Sequence, residues 1–144
     1  KGIMEKPYMI KPNMDELTGI REDNPESRNK EMRMEDCIES VRSFKARGIG
    51  LPVVSLGKHG CIAALEDGVY HFATPDVRVI NTVGSGDSFV AGCAAGLSRE
   101  LPPAEIIRLG MACGTANTQF FKTGWVEKDM VERFLPTVSC TKVG

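Results

Sequence analysis

The chain is 144 residues long, enough for one domain, or part of one, with a buried core. Its 18 Lys and Arg are interspersed with 19 Asp and Glu for a net charge of −1, which excludes the electrostatic footprint of a nucleic-acid binder or of a protein held on an anionic membrane. Aromatics are only 6% of residues, while the chain holds 15 glycines, a balance that suits an α/β domain with tight loops better than a helical bundle.

The five cysteines, Cys37, Cys61, Cys93, Cys113 and Cys140, are an odd number with no C-x-x-C pair, and His59 and His71 are twelve residues apart, a spacing no zinc site uses. A reduced, cytoplasmic protein without a cysteine or histidine metal site is therefore expected. The opening Lys1-Gly2-Ile3-Met4-Glu5-Lys6 is charged and lacks the apolar core of a signal peptide; it reads as a chain cut inside an element. No apolar run approaches the length of a bilayer span.

Residues 7–13 read as a short buried strand, with Pro12 holding Lys11 extended. Asn13 is a natural N-cap, and Glu16 three residues on completes a near capping box for the helix that follows. Residues 19–29 are polar and read as a surface loop. From Lys30 or Glu31 to Arg47 the apolar spacing of Met34, Cys37, Ile38, Val41 and Phe44 predicts a helix, stopped by Gly48. Residues 51–56 form a second buried strand, so the chain opens with a βαβ unit and a parallel strand pair. Gly57-Lys58-His59-Gly60 then lies at the carboxyl end of that strand, where open α/β sheets bind ligands. Lys58 there either reaches a phosphate or stands in solvent. Asp67-Gly68, between two apolar segments, predicts a β-hairpin, and His71 is expected half-exposed on its second strand, without a chemical role.

After the turn at Thr74-Pro75-Asp76, an alternating run ends at Ile80. A glycine-containing turn follows, and then a slim helix rich in small residues through Phe89, Val90, Cys93, Ala94 and Leu97, expected to lie close against a sheet. This puts Asp87 near a helix start, where unpaired N–H groups favour an anion and Gly84 and Gly86 let a phosphate approach the backbone. A carboxylate at such a place either caps its own helix or accepts a proton from a hydroxyl attacking the phosphate. Pro102-Pro103 opens the next helix, which ends at Asn117-Thr118-Gln119. Lys122-Thr123-Gly124-Trp125 is a turn with Trp125 a packing residue, residues 126–134 a short helix, and the tail after Pro136 is expected to be loose. Neither the P-loop string G-x-x-x-x-G-K-[ST] nor G-x-G-x-x-G nor G-x-S-x-G occurs.

Asn81-Thr82-Val83-Gly84-Ser85-Gly86-Asp87 resembles the D-T-x-G-A-G-D signature of the ribokinase-like, PfkB-family sugar kinases. Asn81 in place of the first Asp is similar to the phosphosugar branch, the 1-phosphofructokinases and tagatose-6-phosphate kinases. The resemblance implies Asp87 as catalytic base and the backbone of Gly84, Ser85 and Gly86 as the anion hole for the transferring phosphoryl group. Lys11-Pro12-Asn13 with Glu16 resembles the family's N-x-x-E strand end, which implies Lys11 and Asn13 toward the phosphates and Glu16 on the water shell of Mg²⁺. Ser55-Leu56-Gly57-x-x-Gly60 resembles its S-x-G-x-x-G segment, implying Ser55, Gly57 and Gly60 as ATP contacts, and Asn117 would line the adenine pocket. The fold implied is α/β: a ribokinase-like, doubly wound, mostly parallel sheet with flanking helices and a β-hairpin, here as a partial domain.

Residues 1–144 would then be the carboxyl-terminal nucleotide-binding and catalytic-loop part, with the amino-terminal sugar-binding and lid part absent. Such a piece is expected to be inactive alone and to self-associate, as a homodimer or otherwise, through apolar surface left uncovered. The implied substrates are ATP with Mg²⁺ and a sugar phosphate: fructose 1-phosphate, tagatose 6-phosphate or fructose 6-phosphate. A non-catalytic nucleotide- or anion-binding module would use the same glycine turn.

Overall fold

Parallel pairing of the first two strands sets the frame for everything in the amino-terminal part. In the computed structural model, which describes residues 7–21 (18–21 as backbone only), 34–74, 76–122 and 125–144, β1 (Met9–Ile10) leads through α1 (Met14–Arg21) and α2 (Met34–Ala46) to β2 (Leu51–Ser55). Met9 lies opposite Leu51 and Ile10 opposite Pro52 in parallel register, and a lone parallel bridge joins Asn13 to Ser55. The expected βαβ unit is therefore present. The expected opening at residues 1–6, the loop at 22–29, the helix start at 30–33, Pro75, and Thr123-Gly124 lie outside the described residues.

α1 runs on through Gly19 to Arg21, where a loop was expected. One glycine inside a helix costs only about 1 kcal/mol, which other contacts can offset. α2 ends as predicted. Gly48 adopts φ 95°, its N–H donates to Lys45 O (3.0 Å), and Ile49 N–H donates to Phe44 O (3.1 Å), the paired bonds of a Schellman stop. The Lys45 ammonium then donates to both Gly50 O and Glu66 Oε1, each at 2.7 Å, tying the helix end to the hairpin turn.

β2 pairs antiparallel with β3 (Cys61–Leu65), with Val53 opposite Ala63 and Ser55 opposite Cys61. That ladder starts one residue beyond Pro52, so the missing proline N–H costs no bond in it. The hairpin turns at Glu66 and Asp67 into β4 (Gly68–Ala73). Gly68 sits at φ +151°, and a Cβ there would meet Gly144 O at 2.8 Å. The tail is not loose: β5 (Ser139–Lys142) completes a mixed five-stranded sheet in the order β1-β2-β3-β4-β5. Val69 N–H donates to Gly144 O (2.9 Å) and Val143 N–H to Val69 O (2.8 Å). A polar tail acquires a conformation once a strand offers it main-chain partners, and composition alone does not show that.

The chain divides into two compact units, Lys1–His71 with Thr141–Gly144, and Phe72–Cys140. In the first, α1 and α2 bury Leu17, Cys37 and Val41 against Val54, Ile62, Ala64 and Val69. His71 is half-buried, as expected, with its Nε2 2.7 Å from His59 O.

In the second, α3 (Ser85–Ser98) packs on α4 (Pro103–Asn117), and α5 (Lys128–Phe134) closes a small core of Ala112, Ala116 and Phe134. The small residues of α3 serve helix-to-helix contact here: a Cβ on Gly92 would lie 2.9 Å from Gly110 Cα, and one on Gly96 3.2 Å from Ile106 Cα. In this interface burial pushes the Cys113 thiol above its ordinary pKa of 9.0, against the pull of Arg99. Residues 76–80 form no strand, and Val79 and Ile80 stand exposed, because their stretch has no strand partner among the described residues. Trp125 is no core residue either. Its ring carries the Lys122 ammonium at 4.4 Å, and its indole N–H donates to Glu127 Oε1 (3.3 Å). Among the described residues no helix is long and apolar enough to cross a membrane.

Candidate active site

The predicted site residues fall into two groups, one in each unit. In the first unit the lone bridge brings Asn13 beside Ser55, and Ser55 N–H donates to Pro12 O at 3.0 Å, so the carboxyl ends of β1 and β2 are adjacent. Lys11 is half-buried there, while Asn13 and Glu16 are exposed. The capping box forms reciprocally: Glu16 N–H donates to Asn13 Oδ1 (2.7 Å), and Asn13 Nδ2 donates back to Glu16 Oε1 (3.1 Å). The box steers the Glu16 carboxylate to the start of the helix and leaves Oε2 without a hydrogen bond among the described residues.

Beyond Ser55 the chain makes one 3-10 turn at Gly57–His59. Leu56 N–H donates to Gly60 O at 2.8 Å, and Gly57 (φ 60°) and Gly60 (φ 87°) both use the left-handed region. A Cβ on Gly57 would meet nothing within 4 Å, so glycine there answers a backbone requirement and leaves open space beside the turn. The described residues hold no group of three His, Cys, Asp or Glu side chains placed to bind a metal. A single exposed carboxylate such as Glu16 fits Mg²⁺, which keeps most of its water shell and takes its other ligands from phosphates.

In the second unit the approach to α3 is pinned from the end of α4. Thr118 O accepts from Ile80 N–H (2.8 Å) and Asn81 N–H (3.1 Å), and Gln119 Nε2 donates to Arg78 O (3.0 Å). Asn81 spans the turn: its Nδ2 donates to Phe121 O (3.1 Å) and its Oδ1 accepts Val83 N–H (3.0 Å). Gly84 caps α3 at φ 85°, ψ −2°, with no side-chain cap. Thr82 O accepts both Ser85 N–H (3.2 Å) and Ser85 Oγ–H (2.8 Å), and Ser88 N–H closes the first helical bond to Gly84 O at 2.9 Å.

Of the three amides expected to form an anion hole, Ser85's is therefore engaged, though over a long bond. Gly84 and Gly86 have N–H groups with no partner among the described residues, and the Asp87 N–H shares that condition. Asp87 itself is the third residue of α3. Its side chain is exposed and makes no hydrogen bond or ion pair among the described residues. It does not cap its own helix.

Asn117 departs from expectation. Its side chain is fully buried and its Nδ2 donates to Val83 O at 3.0 Å, so it has no surface to offer adenine. The adenine contact was implied by the family resemblance alone; α4 turns this side chain inward, onto the loop. The reading from sequence also missed the anchoring by Asn81, Thr118 and Gln119. The polar string 117–119 closing an apolar helix was the available signal.

Residues 1–125 match the profile of the pfkB family carbohydrate kinases. The chain belongs to that family. It is 30% identical over 143 residues to the 1-phosphofructokinase of Bacillus subtilis (strain 168), covering 99% of this chain and 45% of that protein. It is 32% identical over 139 residues to the tagatose-6-phosphate kinase of Staphylococcus epidermidis (strain ATCC 12228), covering 96% of this chain and 43% of that one. Among solved structures, phosphofructokinase-2 from Escherichia coli in complex with potassium superposes with a TM-score of 0.78 at 25% identity, over 89% of this chain and 40% of that one. The fold is ribokinase-like, as the pfkB signature implied. The chain spans less than half the length of the curated relatives it matches.

Proposed function

We propose that the protein carrying this chain transfers the γ-phosphoryl group of ATP to a hydroxyl of a sugar phosphate, with fructose 1-phosphate, tagatose 6-phosphate and fructose 6-phosphate as the candidate acceptors. One observation carries the reading: an exposed Asp87 at the start of α3, which like the Gly84 and Gly86 N–H groups beside it has no partner among the described residues. Phosphoryl transfer needs little more from a protein than positioning, a proton acceptor and donors around the equatorial oxygens. Asp87 takes the proton from the attacking hydroxyl, and the amides meet charge building on the transferring group.

The first unit supplies nucleotide contacts through Ser55, Gly57 and Gly60, with Lys11 and Asn13 toward the phosphates. Glu16 holds the water shell of Mg²⁺, which supplies charge neutralisation at the phosphates. The 1-phosphofructokinase and tagatose-6-phosphate kinase relatives support a phosphosugar acceptor, and the odd number of scattered cysteines supports a reduced, cytoplasmic protein. Exposed apolar side chains on the second unit, Val79, Val83 and Phe121, support self-association, which sedimentation of the isolated chain tests.

The test is ADP release by the full-length protein with each of the three acceptors. Asp87→Asn should lower kcat by about a hundred- to ten-thousand-fold, the usual worth of a general base, while ATP still binds. Unchanged turnover in that variant would leave the glycine turn as a non-catalytic anion-binding module.

A further inference from the structure

Asn117 is fully buried, its Oδ1 has no partner among the described residues, and its Nδ2 donates to Val83 O at 3.0 Å. Turning the amide over would set oxygen against oxygen, so the donating orientation is the one the site permits. A buried amide with one unpaired end costs stability that an apolar side chain in its place would not. What the amide adds is a directed hold on one carbonyl.

That carbonyl belongs to the Val83–Gly84 peptide. The unit is planar and trans, so its C=O and its N–H point in opposite directions. With the oxygen drawn into the core by Asn117, the Gly84 N–H is turned the other way, away from the core, where it has no partner among the described residues. Gly84 stands at φ 85° and, having no Cβ, leaves this peptide free to rotate at little steric cost. Its direction must come from outside the turn. On the other side of Val83, Asn81 Oδ1 holds the Val83 N–H at 3.0 Å, so both backbone groups of that residue are gripped by side-chain amides.

We infer that Asn117 is a positioning residue for phosphoryl transfer: it pins the Val83–Gly84 peptide so that the Gly84 N–H points at the transferring phosphate. The inference rests on the kinase reading above, and it replaces the adenine contact that resemblance implied for Asn117.

The experiment compares the full-length protein with Asn117→Leu, which keeps the branched outline at a larger volume and removes the donor, and Asn117→Asp, which keeps shape and removes the donor when its carboxyl is ionised. Loss of a whole oxyanion-hole donor lowers kcat about a hundred- to a thousand-fold, and a misaimed one should lower it about ten- to a hundred-fold. KM for ATP should stay within about threefold of the parent. A raised KM for ATP with kcat unchanged would make Asn117 a nucleotide contact and overturn the inference, as would unaltered kinetics in both variants. Independently of turnover, the Gly84 amide resonance of the ¹⁵N-glycine-labelled parent should move on titration with inorganic phosphate, and that response should be lost in the variants. A parent Gly84 resonance that phosphate leaves in place overturns the inference even if neither variant folds. Absence of kinase activity in the parent defeats the proposed function, and the phosphate titration then decides the positioning role alone.

Discussion

Gly110→Ala probes the contact on which the second unit depends. In an ordinary helix interior this change stabilises by about 0.8–1 kcal/mol, because alanine loses less backbone freedom than glycine. Here the added Cβ would run into Cys93 Sγ and lie 2.9 Å from Phe89 O. The oxygen is main chain of α3 and can retreat only if the helix does. The thiol is itself buried against Ile106 O at 3.6 Å. Overpacking of this kind costs about 1–3 kcal/mol, so the net effect should be a loss of up to about 2 kcal/mol. For a domain near this size, that is a fall in Tm of several degrees.

Urea unfolding of the single variant, of Cys93→Ala and of the double variant reads the result. Removing the thiol should recover part of the loss, with a coupling of about 1 kcal/mol, while the Phe89 O contact keeps the rest. A rise in the unfolding midpoint of Gly110→Ala, by the ordinary propensity gain, would refute the close approach of α3 and α4.

Other positions give sharp expectations. Asn13→Ala removes both halves of the capping box and should cost about 1 kcal/mol by urea unfolding, with Glu16→Gln costing less because Asn13 Oδ1 keeps its donor. Asn81→Asp keeps the acceptor for Val83 N–H but sets a carboxylate against Phe121 O; a loss of about 1 kcal/mol is expected, and a variant as stable as the parent would contradict the bond. For Cys113 the sign runs through its raised pKa. Below about pH 9 both the native and the unfolded thiol are protonated; above it the unfolded chain ionises first, so native stability declines as pH rises. Cys113→Ala should remove that part of the alkaline decline in Tm, and alkylation of Cys113 at pH 8 to 9 should be slower in the folded protein than in urea.

Much of the fold was legible because it is written in short-range chemistry. Asn13 and Glu16 specify a helix start within one turn, Gly48 specifies a helix stop, and Asp67-Gly68 specifies a hairpin, each through a backbone preference that needs no distant partner. The tail was misread for the converse reason. Nothing within residues 139–142 distinguishes a strand from a loose end until β4 lies alongside. The alternating residues 77–80 failed in the opposite direction, having a strand's pattern without a strand's partner.

The same division runs through the candidate site. Spacing singled out the glycine turn and the acidic residue after it as candidates, since a phosphate site needs bare backbone and a carboxylate close together in the chain, and the S-x-G-x-x-G segment came from the family resemblance. It could not tell which amides stay free. Ser85 N–H is taken by Thr82 O, and Asn117, to which the family resemblance gave a place in the adenine pocket, is carried by α4 into the core and onto Val83. Local propensities are properties of a few neighbouring residues and survive in the bare sequence. Which hydrogen-bond donors remain unspent depends on packing between segments some thirty residues apart, and only the folded chain decides it.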